Sequence, residues 1–369
     1  MGRRSAIAIA LTLALLVALN ALLLLASPAW LESRWFAGPW PIWPALTARA
    51  QAAVPFSLTL SLLLGISLCL LVWALWRPPR WRRALLALFG LAALLALSFV
   101  PAWGAAYRRA ELADKLDLAP GGAEVRVLSS ALQGLAERVA ADAPHAALAE
   151  LAEPAALDEA LAAAARCVRE ADSYVTGRPV AVPNRVRSLP PGSLLRGGYT
   201  GIALPWLLEP HVDGSLPSAA RLATGIHELT HAAGWAREAD TDALAMLAGL
   251  SCDHPWVRYA TALHSVSLVG SSLRPLLSES SAERAALEAL LAGLPAAAHA
   301  DQEALREAVR RWRRPLVARA VTTVYDAYLR SQGVSAGVAD YAAAGALIAA
   351  ALEACPASPT EGVAPPWCG

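Results

Sequence analysis

The chain has 369 residues, of which 56% are hydrophobic and 17% charged, with a formal net charge of +1. That composition is too apolar for an ordinary soluble protein and points to membrane segments. The small net charge hides an asymmetry: residues 1–102 carry eight arginines and one acid, Glu32, whereas the remainder carries 23 basic and 29 acidic residues, and neither part reads as a nucleic-acid-binding surface.

Three apolar runs, about 6–26, 54–76 and 84–102, approach the roughly 20 residues that a helix needs to cross a bilayer. Arg3 and Arg4 precede the first, and Arg77, Arg80, Arg82 and Arg83 lie between the second and third. Basic residues accumulate on the cytoplasmic side, so the N-terminus and the 77–83 loop are expected inside. The segment 28–53 and everything after about 103 are then outside the cytoplasm. Trp30, Trp73, Trp76, Trp81 and Trp103 fall near the expected boundaries, as interfacial aromatic belts do. Small residues at Ala26–Ala29 offer a competing reading of the first run as a cleaved signal peptide, but its apolar core is longer than such signals carry. None of the three runs holds an acid, a lysine, an arginine or a histidine, which argues against an ion pathway.

After the Trp103–Arg109 exit, alanine-rich amphipathic helices are expected at 126–141, 144–152 and 156–173. Pro120-Gly121-Gly122 breaks the chain before them. From 174 to 217 the pattern shifts to short apolar pieces between prolines and glycines. Residues 180–182, 186–189 and 199–204 read as short strands, and 197–204 as an edge to which a peptide could add. His211 reads as a surface residue in a loop.

Residues 216–234 read as one helix, with Ser218 as its cap and Gly234 ending it in the left-handed conformation. It contains His227-Glu228-Leu229-Thr230-His231. Residues four apart share a helix face, so His227 and His231 can bind one metal ion while Glu228 reaches a water on it. This is the H-E-x-x-H arrangement of zinc peptidases. The alternative that needs no metal is a polar stripe with two hydrogen-bonded histidines. A catalytic zinc takes three protein ligands and keeps one open position. The next helix offers Glu238 and Asp242 on one face, with Asp240 pointing elsewhere. Glu238 is the expected third ligand. Asp242 is expected to accept a hydrogen bond from a ligand histidine, or to replace Glu238. Arg237 stands where a metzincin would place a third histidine, and a guanidinium cannot ligate zinc.

Farther on, 255–269 reads as a helix on which Tyr259 or His264 could stabilise an oxyanion. Residues 303–332 read as one long helix carrying Arg310, Arg311, Arg313 and Arg314. Residues 341–354 form a core helix too short to span, and 356–369 a disordered tail. Cys69 lies in a span. Cys167, Cys252, Cys355 and Cys368 lie outside the membrane, where three full disulfide pairings are open. Cys252 is expected to be buried and structural.

Four stretches together resemble one family. They are Trp103-Gly104 to Tyr107 and Arg109; Gly198-Tyr199-Thr200-Gly201 with Pro205 and 209–213; the metal helix running into 234–238, then 252–255 and Arg258-Tyr259; and 324–330 with Gly333, Gly337-Val338 and Tyr341. In these the chain is similar to the bacterial membrane-protein family called domain of unknown function 3810, or DUF3810. The resemblance covers nearly the whole chain. It implies an N-terminal set of spans and a zincin-like domain. Asp240 and Asp242 stand where the family carries a glutamate and an asparagine, and the acid at Glu209 reads as structural.

The expectation is therefore a mainly α membrane protein. Three transmembrane helices precede a mostly helical α+β zincin-like domain over 103–355, outside the cytoplasm. Its expected function is a Zn2+-dependent peptidase acting on a protein or peptide substrate, with the lipid bilayer as its other partner and no nucleic acid. His227, His231 and Glu238 hold the metal, and Glu228 is the general base. A catalytically silent binding or scaffolding module is the alternative.

Overall fold

The computed structural model describes residues 3–76, 81–118, 124–143, 154–356 and 364–368. Among the described residues the chain is mostly helical, with one three-stranded sheet. It divides into two compact units, one of residues 1–110 with 204–209, the other of 111–203 with 210–369.

The first unit contains α1 (Arg3–Leu25), α2 (Ile42–Ala52), α3 (Leu58–Trp76) and α4 (Trp81–Ala102). Leu88–Arg108, with mean hydropathy 1.9, is the one stretch among the described residues long and apolar enough to cross a membrane; Leu11–Leu25 and Leu58–Trp73 are shorter apolar helical stretches. Many of their large side chains face outward, although Leu23, Trp103 and Tyr107 are buried. Leu15, Leu64 and Phe89 are each at least 70% exposed. The segment 28–53 is largely helical, with a one-turn helix and a π turn over Pro28–Phe36 before α2.

Among the described residues, a small set of polar contacts ties this unit together. Asn20 donates from Nδ2 to the Leu97 carbonyl at 2.7 Å. Arg109 pairs with Glu32 at 2.9 Å and lies over the Phe36 ring. The Glu209 carboxylate accepts from Ser57 Oγ and from the Leu58 and Thr59 amides at 2.9–3.0 Å. A negative group there satisfies first-turn donors of α3 and complements its dipole, so Glu209 is structural, as expected.

The second unit contains α5 (Val125–Asp142), α6 (Pro154–Thr176), α7 (Ser218–Ala232), α8 (Glu238–Leu250), α9 (Pro255–Leu273), α10 (Ala282–Ala292), α11 (Ala296–Trp312), α12 (Pro315–Ser331) and α13 (Ala344–Glu353). Every residue of α8 is buried. It packs against α6, α7, α9 and α13, and α5 lies along α9. A helix apolar on most sides, as Ala243–Ala248 makes this one, is stable only when surrounded.

The sheet has strands β1 (Arg187–Leu189), β2 (Gly201–Leu204) and β3 (Glu209–Asp213), in the order β1-β3-β2. β1 runs parallel to β3, with Arg187 opposite His211 and Leu189 opposite Asp213. The Asp213 carboxylate accepts from the amides of Gly192, Leu194, Leu195 and Ser215 at 2.8–3.0 Å and pins the intervening loop to the end of β3. Burial opposes its charge, yet these hydrogen bonds hold its carboxyl below the usual aspartate range.

Several expectations are corrected. Residues 180–182 form no strand, and β3 was not anticipated. Its sequence, Glu209-Pro210-His211-Val212-Asp213, has no apolar alternation, yet all five residues are buried. His211 is therefore an interior strand residue and not a surface histidine. Pro217, not Ser218, occupies the cap position of α7, and Ser218 is its first residue. The expected helix over 303–332 breaks at Arg314, which is extended (φ −116°, ψ 109°) before Pro315. Proline lacks the amide and clashes with a helical residue before it, which ends α11 and starts α12. The expected helix over 341–354 begins as a 3-10 segment, Gly337–Ala343, before α13. The C-terminal segment is not wholly free: Cys368 is disulfide-bonded to Cys355, and Trp367 is 1% exposed against Tyr174. The second disulfide joins Cys167 to Cys252. The helix expected at 144–152 and part of the 77–83 loop lie outside the described residues.

Candidate metal centre

α7 places His227 and His231 one turn apart, with ring centroids 4.6 Å from each other. The chain then reverses at Gly234, whose φ of +97° is open to glycine and strained for other residues. This turn brings the Trp235 carbonyl back to His231, where it accepts from Nδ1 at 2.6 Å. Trp235 is itself fixed, since its indole Nε1 donates to Asp172 Oδ1 at 2.7 Å. Thr241 Oγ1 donates to the same Trp235 carbonyl at 3.1 Å.

α8 begins immediately after the turn. Its first residue, Glu238, points its Oε2 at His227 Nε2 (3.3 Å) and His231 Nε2 (3.4 Å). One helical turn later, Asp242 Oδ1 lies 2.6 Å from His227 Nδ1. Both histidines thus have Nδ1 against an acceptor, which places the proton on Nδ1 and turns the Nε2 lone pair toward Glu238. Among the described residues, one ligand atom each from His227, His231 and Glu238 lie within 4.8 Å of one another.

The donor set fits a metal ion. Glu238 Oε2 is buried and has no hydrogen-bond partner, although two imidazole nitrogens face it. Three lone pairs converging in a buried site require a cation or protons between them. Tetrahedral zinc, with bonds of about 2.0–2.2 Å, places its ligand atoms about 3.3–3.5 Å apart. The carboxylate-to-imidazole separations have that spacing. A second group, Cys167, Cys252 and Asp253, is of the right residue types, but its two sulfurs are joined to each other.

Glu228 follows the first histidine and is 4% exposed, with Oε2 unpartnered. Burial, offset by the two histidines and reinforced by Glu238 and Asp242, pushes its carboxyl up to about 7. Burial also opposes the charge on Glu238, but His231 and His227 hold it well below the usual carboxylate range. For His227, burial favours the neutral ring, yet Asp242, Glu238 and Glu228 raise its pKa well above the ordinary value. A cation at the ligand atoms would replace that proton.

β2 is an edge strand of the sheet and lies beside this helix face. Gly201 is so close to Glu228 and Thr224 that a side chain on it would collide with both. The expected edge over 197–204 is therefore extended only from Gly201 onward, where it approaches the glutamate.

Other expected residues divide. Asp240 points away, as anticipated: it accepts from the Leu112 amide, and burial, offset by Arg237, pushes its carboxyl up to about 7. Arg237 pairs with Glu111 outside the cluster. His264 is near the cluster and senses Asp242 and His227, with burial lowering its pKa. Tyr259 is not brought to the cluster in the arrangement expected for an oxyanion donor, because its buried hydroxyl donates to Asp301 at 2.7 Å. That bond ties α9 to α11.

Three tyrosines were missed. The Tyr325 hydroxyl of α12 donates to Glu238 Oε1, and Tyr341 hydrogen-bonds the same carboxylate. Tyr199 meets the Tyr325 ring edge-on at 5.4 Å. All three lie in the stretches that carry the family resemblance, which was their only signal. Tyr325 is 87 residues from Glu238, too far for any local spacing to relate them.

A family model described as "Protein of unknown function (DUF3810)" matches residues 36–349. No curated protein and no solved structure matches the chain.

Proposed function

The chain belongs to the DUF3810 family, and from the cluster around Glu238 we propose that it is a membrane-anchored zinc metallopeptidase with a zincin-like domain. The observation that carries the reading is the unpartnered, buried Glu238 Oε2 facing two imidazole nitrogens, with Glu228 beside them. His227, His231 and Glu238 would hold the ion. When bound, zinc supplies a Lewis acid that acidifies a water and polarises a peptide carbonyl.

The chain's own groups do the rest. Asp242 and the Trp235 carbonyl fix the two imidazoles in the tautomer that offers Nε2. Tyr325 and Tyr341 engage Glu238 at Oε1 and its carboxylate, which favours Oε2 as the single ligand oxygen. Glu228 takes the proton of the attacking water and returns it to the leaving amine nitrogen. A pKa near neutrality suits a group that must do both. An extended peptide would add at the β2 edge, where Gly201 leaves room for the close approach of Glu228.

Membrane anchoring rests on the Leu88–Arg108 stretch and on the outward apolar faces of α1 and α3. All three helices would cross the bilayer, with the N-terminus cytoplasmic on the positive-inside rule and the second unit outside the cytoplasm. Two disulfides in that unit suit an oxidising compartment. The test is zinc content measured together with hydrolysis of a peptide library. Folded protein that binds no zinc after reloading overturns the proposal.

A further inference from the structure

α12 has three faces. At about 3.6 residues per turn, Ala318, Thr322, Tyr325 and Leu329 share one side, and Ala318 and Leu329 there are fully buried. Arg319, Asp326 and Arg330 share the second. Val317, Val321 and Val324 share the third and are 46%, 38% and 70% exposed, with Leu316, 82% exposed, ahead of them in the first turn. A contiguous apolar stripe along an exposed helix marks an interaction surface more than a scattering of single apolar residues does.

The charge around this stripe has one sign. No acid occurs between Glu307 and Asp326, whereas Arg310, Arg311, Arg313, Arg314 and Arg319 fall in that interval. Arg310 pairs with Glu303 at 2.7 Å. Among the described residues, Arg313, Arg314 and Arg319 have no carboxylate partner. Trp312 joins them, with the guanidiniums of Arg196 and Arg311 each 5.5 Å from its ring.

We infer that this face of α12 docks on an anionic lipid surface. Its apolar stripe enters the headgroup–acyl boundary, and the arginines at its start meet lipid phosphates. An amphipathic helix with arginine and tryptophan beside an exposed aliphatic stripe has the chemistry of an interfacial element. Charge complementarity selects anionic lipid over a neutral one. The chain's own apolar helix, Leu88–Arg108, makes a bilayer the surface at hand. The inference is independent of zinc, although Tyr325 on the same helix touches Glu238.

The test uses the full chain with Cys69→Ser, and Val317→Cys, Val324→Cys or Thr323→Cys labelled with an environment-sensitive fluorophore. Each is reconstituted into vesicles of phosphatidylcholine, alone or mixed equally with phosphatidylglycerol, containing a spin-labelled quencher lipid. Quenching is expected to be several-fold stronger at positions 317 and 324 than at 323, and stronger with phosphatidylglycerol. The combined Arg313→Glu, Arg314→Glu and Arg319→Glu variant is expected to lose the phosphatidylglycerol effect. Equal quenching at all three positions overturns the inference. So does shielding in detergent that grows with protein concentration, which would assign the face to a second copy. The His227→Ala background is expected to give the same quenching, so loss of the zinc reading would leave this result standing.

Discussion

His227 Nδ1 lies 2.6 Å from Asp242 Oδ1, a bond between the first histidine of one helix and an acid on the next. It sets the tautomer of a candidate ligand without occupying the ligand nitrogen. Partners of this kind are typically worth about 10–100-fold in metal affinity. Asp242→Ala is therefore expected to weaken zinc binding by that factor, whereas His227→Ala and Glu238→Ala abolish stoichiometric zinc. Metal analysis of purified, folded protein distinguishes the cases. Complete loss with Asp242→Ala and retention with Glu238→Ala would exchange the roles of the two acids.

Glu228→Gln keeps the shape and removes the base. The variant is expected to fold, to retain zinc, and to lose hydrolysis by about 10²–10⁴-fold. Unchanged turnover would remove Glu228 from the mechanism. Zinc retention without hydrolysis in the wild type, against a broad peptide set, would favour the silent binding module.

Tyr325→Phe deletes the hydroxyl on Glu238 Oε1 and little else. The freed oxygen can turn toward the ligand position, so zinc affinity is expected to fall about tenfold with the fold intact. Competition with a chelator reads the affinity, and circular dichroism the fold. An unchanged affinity would leave Tyr325 as a packing residue of α12.

Asp240 gives a pH signature. Its carboxyl titrates near 7 in the folded chain, against an ordinary value of 3.8. Between those values the folded state holds a proton that the unfolded state has lost. The favourable contribution is thus complete below about pH 4 and is lost as the pH rises through about 7. Asparagine keeps the acceptor for the Leu112 amide and cannot ionise. Asp240→Asn is expected to gain on the order of 2 kcal/mol relative to wild type between about pH 5 and pH 8. A stability difference between variant and wild type that is the same at about pH 5 and pH 8 would show that the Asp240 carboxyl is not raised.

What the sequence by itself determined is local. The four-residue spacing placed His227 and His231 on one face, Gly234 marked the reversal, and Glu238 with Asp242 shared the next helix face. These follow from helical periodicity and from the conformational range of glycine, which act over a few residues. The apolar runs were legible for the same reason, although only Leu88–Arg108 reaches the length and apolarity of a span among the described residues. The tertiary structure decided what depends on distant packing. It turned Glu238 Oε2 onto both histidines, brought Tyr325 and Tyr341 to the same carboxylate, and sent Tyr259 to Asp301. It also paired Cys167 with Cys252 and made Glu209–Asp213 an interior strand despite its polar residues. No short-range pattern encodes these contacts, because their partners meet only when α8 is enclosed by α6, α7, α9 and α13 and the buried polar atoms must find one another.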